Sequence, residues 1–316
     1  MAAAGSCTAA TLAPMRVVSL LPSLTEIVCA LERGNLLVGR SHECDEPRGV
    51  RGLPICTSAG MDPAARSAAI DDSVRGLIEQ GLSIYEVDAE RLRSLEPDLI
   101  LTQDQCEVCA ASTADVERAL AEWTGKRPAL VSVSPTTLDD VFGSVRTIGR
   151  ALGATRRANA LIQAWTDRIT EIGEAAAPGT RPRVACVEWI DPLMSAGNWI
   201  PEMIRIAGGE PLFGTTGEHS PWATLDAFAA ADPDRIIIFP CGFDLARTRA
   251  EVGTLAAQPE FAALRAVRSG QAFVADGNAY FNRPGPRLVE SLEILAEIIH
   301  PTRFDFRHRG AGYEAL

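Results

Sequence analysis

The stretches "LEPDLILTQDQC" (Leu95–Cys106) and "ADPDRIIIFPC" (Ala231–Cys241) repeat one pattern. Each ends a helix-forming segment on a proline, sets an aspartate before an apolar run, and delivers a cysteine just beyond it. Proline biases the residue before it away from helical backbone, so a helix stops there. A short unbroken apolar run is the signature of a strand covered on both faces. One such helix-to-strand unit in each half of the chain predicts two α/β lobes built on one plan.

The surrounding sequence extends the plan. In the first half, Arg16–Leu21, Leu36–Ser41, Asp98–Gln103 and Ala129–Ser134 read as buried strands, each followed by polar or helix-forming sequence. In the second half, Arg183–Trp189, Arg235–Pro240 and Ala272–Asp276 read as strands, with helices near Trp199–Ala207, Leu225–Ala231 and Arg287–Ile299. Ser23 and Glu26 have the spacing of a capping box, which starts the first helix just after Pro22. Between the halves, Thr155–Ala176 has helical periodicity over a length of about 33 Å, enough to span two lobes, and Pro178, Gly179 and Pro182 end it. The expected fold class is therefore α/β, with two parallel sheets flanked by helices, one long connecting helix and a cleft between the lobes. The expected divisions are a disordered extension over 1–14, an N-terminal lobe over 15–153, the connecting helix over 154–178, a C-terminal lobe over 179–301 and a tail over 302–316.

Composition bounds the function. Of 316 residues, 47% are hydrophobic and 22% charged, ordinary for a globular chain that can bury two cores. The net charge of −11, with no basic run, argues against nucleic acid as a partner. No segment approaches the roughly 20 apolar residues that cross a bilayer, so direct membrane insertion is not expected. "MAAAGSCTAATLAPMR" has neither the basic start nor the long apolar core of an export signal, and the expected location is cytoplasmic, with its eight cysteines reduced.

Ligands of open parallel sheets sit beyond the carboxyl ends of the strands. Residues just past each strand therefore make the candidate cleft: Ser23, His42, Glu43, Cys44, Asp45, Gln103, Cys106 and Cys109 from the first half. From the second half come Glu188, Trp189, Cys241, Phe243, Tyr280, Phe281 and Arg283. Glu188 suits amide or amine donors. Arg283 suits either an anion or the carbonyls of its own loop.

Six phrases carry a family resemblance: "RVVSLLPSLTEIVCAL", "VGRSHECDEP", "LRSLEPDLILTQ", "SAGNWIPEMIRIAGGEPLFG", "SPWATLDAFAAADPDRIII" and "AYFNRPGPRLVESLEILAEI". In this order, from Met15 to Pro301, the chain resembles the cobalamin (vitamin B12) binding proteins of ABC importers. These belong to the helical-backbone class (class III) of periplasmic binding proteins, which also holds ferric siderophore and haem binders. The resemblance implies a corrinoid held edge-on between the lobes by aromatic side chains, which here match Trp189, Trp199, Trp222 and Phe281, with Tyr85 in an insertion beside the cleft. That insertion, Pro54–Asp88, is longer than the corresponding loop of simple importer proteins. Relatives dock on a transporter through one acid per lobe. Glu117 and Asp226 are the nearest matches, each expected in the first turn of a helix, where the macrodipole alone would favour an acid. Without export, docking is not expected.

The cysteines leave several readings open. Cys29 and Cys186 fall on apolar faces and read as core. Cys106 and Cys109 lie in a long loop after a strand. They could form a redox pair, half of a zinc site completed by His42 and Cys44, an axial donor to a ligand's metal, or inert thiols. The expected function is binding of cobalamin or a related corrinoid, stored or handed to a corrinoid-using protein, with zinc as an additional occupant. The alternatives are a zinc, iron or haem binder using cleft cysteine and histidine, and a thiol-dependent corrinoid-processing enzyme. No triad, phosphate loop or paired catalytic carboxylates emerge, so no enzyme is expected.

Overall fold

The computed structural model describes residues 14–80, 83–104, 111–121 and 123–316. The expectations for the first thirteen residues and for Cys106 and Cys109 lie outside them. The N-terminal lobe contains β1 (Val17–Ser19), α1 (Pro22–Ala30), β2 (Leu37–Arg40), β3 (Thr57–Ala59), α2 (Ser67–Glu79) and β4 (Tyr85–Val87). It continues through α3 (Ala89–Leu95), β5 (Leu99–Gln103), α4 (Thr113–Ala119), β6 (Ala129–Val133) and α5 (Leu138–Ala151). The connecting helix is α6 (Thr155–Ala176). The C-terminal lobe begins with β7 (Arg183–Val187), α7 (Ile200–Ile206), β8 (Glu210–Pro211), α8 (Leu225–Ala231), β9 (Arg235–Ile238) and α9 (Leu245–Glu251). Three short turns come next, α10 (Gly253–Ala256), α11 (Pro259–Ala262) and α12 (Arg265–Arg268), then β10 (Ala272–Ala275), α13 (Leu288–Ile299) and β11 (Tyr313–Ala315).

The first sheet is parallel throughout, in the order β2-β1-β5-β6. The second, β11-β10-β9-β7-β8, is parallel except for β11, which runs antiparallel on β10 with Phe273 opposite Ala315. The repeated sequence pattern thus marks the strand beside the first strand of each sheet: β5 pairs with β1, and β9 with β7. Asp98 and Asp234 do the same work in each. Asp98 accepts from the backbone N–H of Arg16 at 3.0 Å, and Asp234 from that of Arg183 at 2.8 Å, so each aspartate ties the starts of two neighbouring strands. The segment after 301, expected to be a tail, instead completes the second sheet.

Helix α6 is a strut because its two ends belong to different cores. Ala158 and Ile162 pack in the N-terminal core with α1 and α5, while Ile172 and Ala176 pack in the C-terminal core with α7 and α13. Tilting one lobe against the other would pull apolar surface out of one core. At about 25 cal/mol per Å², that opposes wide hinge motion.

A second tie crosses between the lobes at α1. The spacing of Glu26 from Ser23 predicts a capping box, but Leu21 takes the N-cap position with no side-chain cap, and Pro22, which lacks an N–H, occupies the first turn. Glu26 points instead to the other lobe. Its Oε1 accepts from Arg283 at 2.9 Å and from Arg287 at 2.6 Å, and its Oε2 from Arg287 Nε at 2.9 Å. Arg283 also reaches Asp45 Oδ1 at 2.6 Å and Asn278 Oδ1 at 2.8 Å. Burial alone would raise the Asp45 carboxyl's pKa, but Arg283 and Arg287 outweigh it and hold it below its ordinary value.

With the side chains of Glu26 6% and Arg283 8% exposed, removing the acid leaves Arg283 bonded to Asp45 and Asn278 and takes from Arg287 both of its hydrogen bonds to Glu26. Glu26→Ala is expected to lower unfolding free energy by about 3 to 5 kcal/mol in urea titration. A loss below about 1 kcal/mol would show that the lobes are held elsewhere.

Candidate functional site

The tips of both sheets converge on one group of side chains. From the N-terminal lobe, Arg40 shapes the approach: it is buried and donates to the carbonyls of Ser41 at 2.9 Å, Cys44 at 3.0 Å and Arg51 at 3.0 Å. The guanidinium thus replaces a strand partner for the turn after β2 and presents His42 and Glu43. His42 is tied through Nδ1 to Thr57 Oγ1 at 2.8 Å, and burial lowers its pKa. Its ring lies 5.9 Å from that of Tyr85, whose hydroxyl donates to Glu43 Oε1 at 3.2 Å. Burial raises the Glu43 pKa despite that bond and Arg283 nearby, and burial with the Glu43 charge raises that of Tyr85.

From the C-terminal lobe come Glu188, at the end of β7, and Cys241, beyond β9. Glu188 accepts from Ser220 Oγ at 2.9 Å, and burial pushes its pKa up to about 7. The Cys241 thiol is pushed up to about 12 by burial and by the charges of Glu188 and Glu43. Cys241 is tied to Glu188 through its backbone N–H, which donates to the Glu188 carbonyl at 3.1 Å. Trp189 forms an isolated backbone bridge with Met194, and Met194 with Trp222, which makes the three residues cross-strand neighbours. Trp222 is 61% exposed.

Other expected residues lie elsewhere. Trp199 and Phe281 are buried in the C-terminal core, where the indole N–H donates to the Phe281 carbonyl at 2.7 Å and Phe281 stacks on Phe239 at 4.4 Å. They cannot be walls for a ligand in this conformation. Phe243 is a support, buried between Trp189 at 5.5 Å and the Arg247 guanidinium at 3.6 Å. Tyr280 faces the C-terminal segment, beside His308 and Gly312. Ser23 is covered by the Gly285 loop of the other lobe, and Gln103 is buried at the end of β5.

The metal set also changes. Cys44 packs into the N-terminal core, its Sγ 3.0 Å from Thr25 Oγ1, and burial raises its pKa to about 11, disfavouring the thiolate a metal requires. Among the described residues, no group of three His, Cys, Asp or Glu side chains is arranged to hold a metal ion. Asp226 does lie in the first turn of α8, but Glu117 is in the second turn of α4. Its first turn holds Asp115, which closes a capping box with Ser112. Both Glu117 and Asp226 are exposed.

Sequence reasoning missed Arg40, Glu26 and Met194. A buried arginine just before a turn has no sequence signature. Glu26 carried one, but it pointed to the capping role.

The geometry is that of a two-lobe solute-binding protein. The periplasmic binding protein family model matches residues 17–279, and the chain belongs to that family. It is 24% identical over 300 residues to an uncharacterized ABC transporter substrate-binding lipoprotein, YvrC, of Bacillus subtilis, covering 92% of this chain and 82% of that one. It is 25% identical over 293 residues to a vitamin B12-binding protein of Pectobacterium atrosepticum, covering 90% and 88%. A periplasmic heme binding protein from Pseudomonas aeruginosa has the same fold, with a TM-score of 0.71 at 21% identity over 96% of this chain and 98% of that one. The chain is thus a solute-binding protein and not an enzyme. The expectation that it does not dock on a transporter finds no support among these relatives.

Because the Glu188 pKa is higher folded than the ordinary 4.5, the folded state binds more protons than the unfolded chain between pH 4.5 and about 7. Its contribution to stability is therefore fully present below pH 4.5 and lost as pH rises through 7. Glu188→Gln should flatten this part of the profile, so that its Tm gains on the wild type as pH is raised from 5 to 8. Parallel Tm profiles would contradict the buried placement of Glu188.

Proposed function

We propose that this protein binds a corrinoid between its lobes and presents it to an ABC transporter. The observation that carries the reading is the tie between the turn that holds Glu43 and the loop beyond β9: Arg283 and Asn278 of the C-terminal lobe bind Asp45, and the Asn278 N–H donates at 2.9 Å to the carbonyl of Phe243, two residues past Cys241. The nearby cations are engaged within the protein: Arg283 by Glu26 and Asp45, Arg40 by backbone carbonyls, and Arg247 by the Phe243 ring and the Ala65 carbonyl. Such a site offers acceptors to ligand N–H groups, while its nearby cations are already committed within the protein. A corrinoid carries a rim of carboxamides and a cationic cobalt centre, which suits these acceptors. Haem carries two propionates, which would meet acids. Exposed Trp222, with Trp189 and Met194 as its cross-strand neighbours, offers apolar, polarizable surface suited to the face or edge of a macrocycle. The vitamin B12-binding relative supports the same choice. Exposed Glu117 and Asp226, one on each lobe, are the proposed contacts to the transporter.

Absorbance titration with hydroxocobalamin, cobinamide and hemin tests the assignment. The wild type is expected to bind both corrinoids at least about tenfold more tightly than hemin. The double variant Glu43→Gln, Glu188→Gln should lose about 10- to 100-fold in corrinoid affinity, the scale of hydrogen bonds to charged groups, and narrow the gap to hemin. A wild type that prefers hemin would overturn the reading.

A further inference from the structure

One segment departs from the plan that the two lobes share. The chain leaves β2 with Arg40 bridged to Ile55, forms β3, then runs out to α9 of the opposite lobe. It returns through α2 and pairs β4 against β3, setting Tyr85 on Glu43. The segment therefore begins and ends at the tip of the N-terminal sheet and touches, at its far point, the helix that lies beyond the tip of β9.

The contact at that far point is a helix cap supplied by the other lobe. The residue before α2, Arg66, gives no side-chain cap of its own. Glu251, the last residue of α9, takes the free N–H of Ser67 at 2.9 Å and the Ser67 hydroxyl at 2.7 Å on one oxygen. Arg247 of the same helix donates to the Ala65 carbonyl at 2.8 Å. A carboxylate at a helix N-terminus is favoured by both its hydrogen bonds and the macrodipole.

The rest of this seam is poorly matched. A cavity of about 230 Å³ lies between Arg66–Ala69 and Asp191, Glu251 and Thr254. Asp71 of α2 is engaged by Arg75 of its own helix and, among the described residues, makes no ion pair with the opposite lobe. The apolar face of α2, by contrast, packs Val74 and Leu77 on Ile84, Tyr85 and Ala111 of its own lobe. The segment is thus bound to one lobe by apolar packing and to the other by a few polar contacts beside a cavity.

We propose that residues 57–80 and 83–88 form a strap across the mouth of the cleft, latched by Glu251, and that the latch releases to let ligand in and out. The gating role rests on the cleft being the ligand site; the latch itself does not. The Glu251 carboxylate bonds to Ser67 and faces Arg66, not Glu43 or Glu188, so it can be changed without altering the proposed binding groups.

Hydrogen exchange of the first-turn amides of α2, together with stopped-flow mixing with hydroxocobalamin, tests both parts. In Glu251→Ala, exchange at Ser67–Ile70 should rise about fivefold, the usual scale of a lost cap. Association and dissociation should both accelerate by a similar factor, leaving Kd within about twofold, as expected when a barrier falls and the end states do not. Glu251→Gln, which keeps an acceptor oxygen, should lie close to the wild type. Unchanged exchange in Glu251→Ala overturns the latch, and faster exchange with unchanged ligand rates overturns the gate. If the wild type takes up no hydroxocobalamin, the corrinoid reading falls, and exchange alone then decides the latch: about fivefold faster supports it, unchanged overturns it.

Discussion

Glu26, held by two arginines of the opposite lobe, fixes how the halves of this protein face each other. A carboxylate on the first helix reaches Arg283 and Arg287 just before α13, and Arg283 in turn holds Asp45 in the turn that presents Glu43. One ion cluster therefore joins the core of one lobe, the last helix of the other and the edge of the cleft. Buried ion pairs contribute little net stability compared with apolar packing, because desolvating the charges costs about as much as their attraction returns. What they contribute here is register. An arginine with three directed partners accepts one arrangement of the lobes, whereas apolar surface would accept many.

Two kinds of constraint divide the work. The α6 strut sets the spacing of the lobes through two separate cores, and the ion cluster sets their facing. The cleft chemistry depends on that frame. Glu43 and Glu188 lie far apart in sequence and on different sheets, and the Arg283–Asp45 pair draws the turn that holds Glu43 to the C-terminal lobe. Burial acts on each within its own lobe, Glu188 beside Ser220 and Glu43 beside Tyr85, and the frame decides how the two loops face each other.

Much of the frame was legible in the sequence, and less of the site. Buried parallel strands announce themselves by unbroken apolar runs, and α6 by periodicity ended by prolines, so seven strands and the strut could be placed. The tail strand β11 could not, since three residues on an antiparallel edge carry too little pattern. A place at the carboxyl end of a parallel strand marks a residue as a cleft candidate to within a turn, but does not say which way its side chain points. Glu43, Tyr85, Glu188 and Cys241 point together, whereas Trp199 and Phe281 turn inward because the indole N–H finds a backbone carbonyl in the core. Glu26 shows the same limit. Its spacing from Ser23 fitted a local hydrogen bond, and the stronger partners were more than 250 residues away.

A crystal structure of the protein with hydroxocobalamin tests most directly the claim that the two lobes offer one shared ligand site. We expect corrin carboxamide nitrogens within about 3.2 Å of carboxylate oxygens on both Glu43 and Glu188. A ligand that touches only one lobe, or that sits away from both acids, would contradict it.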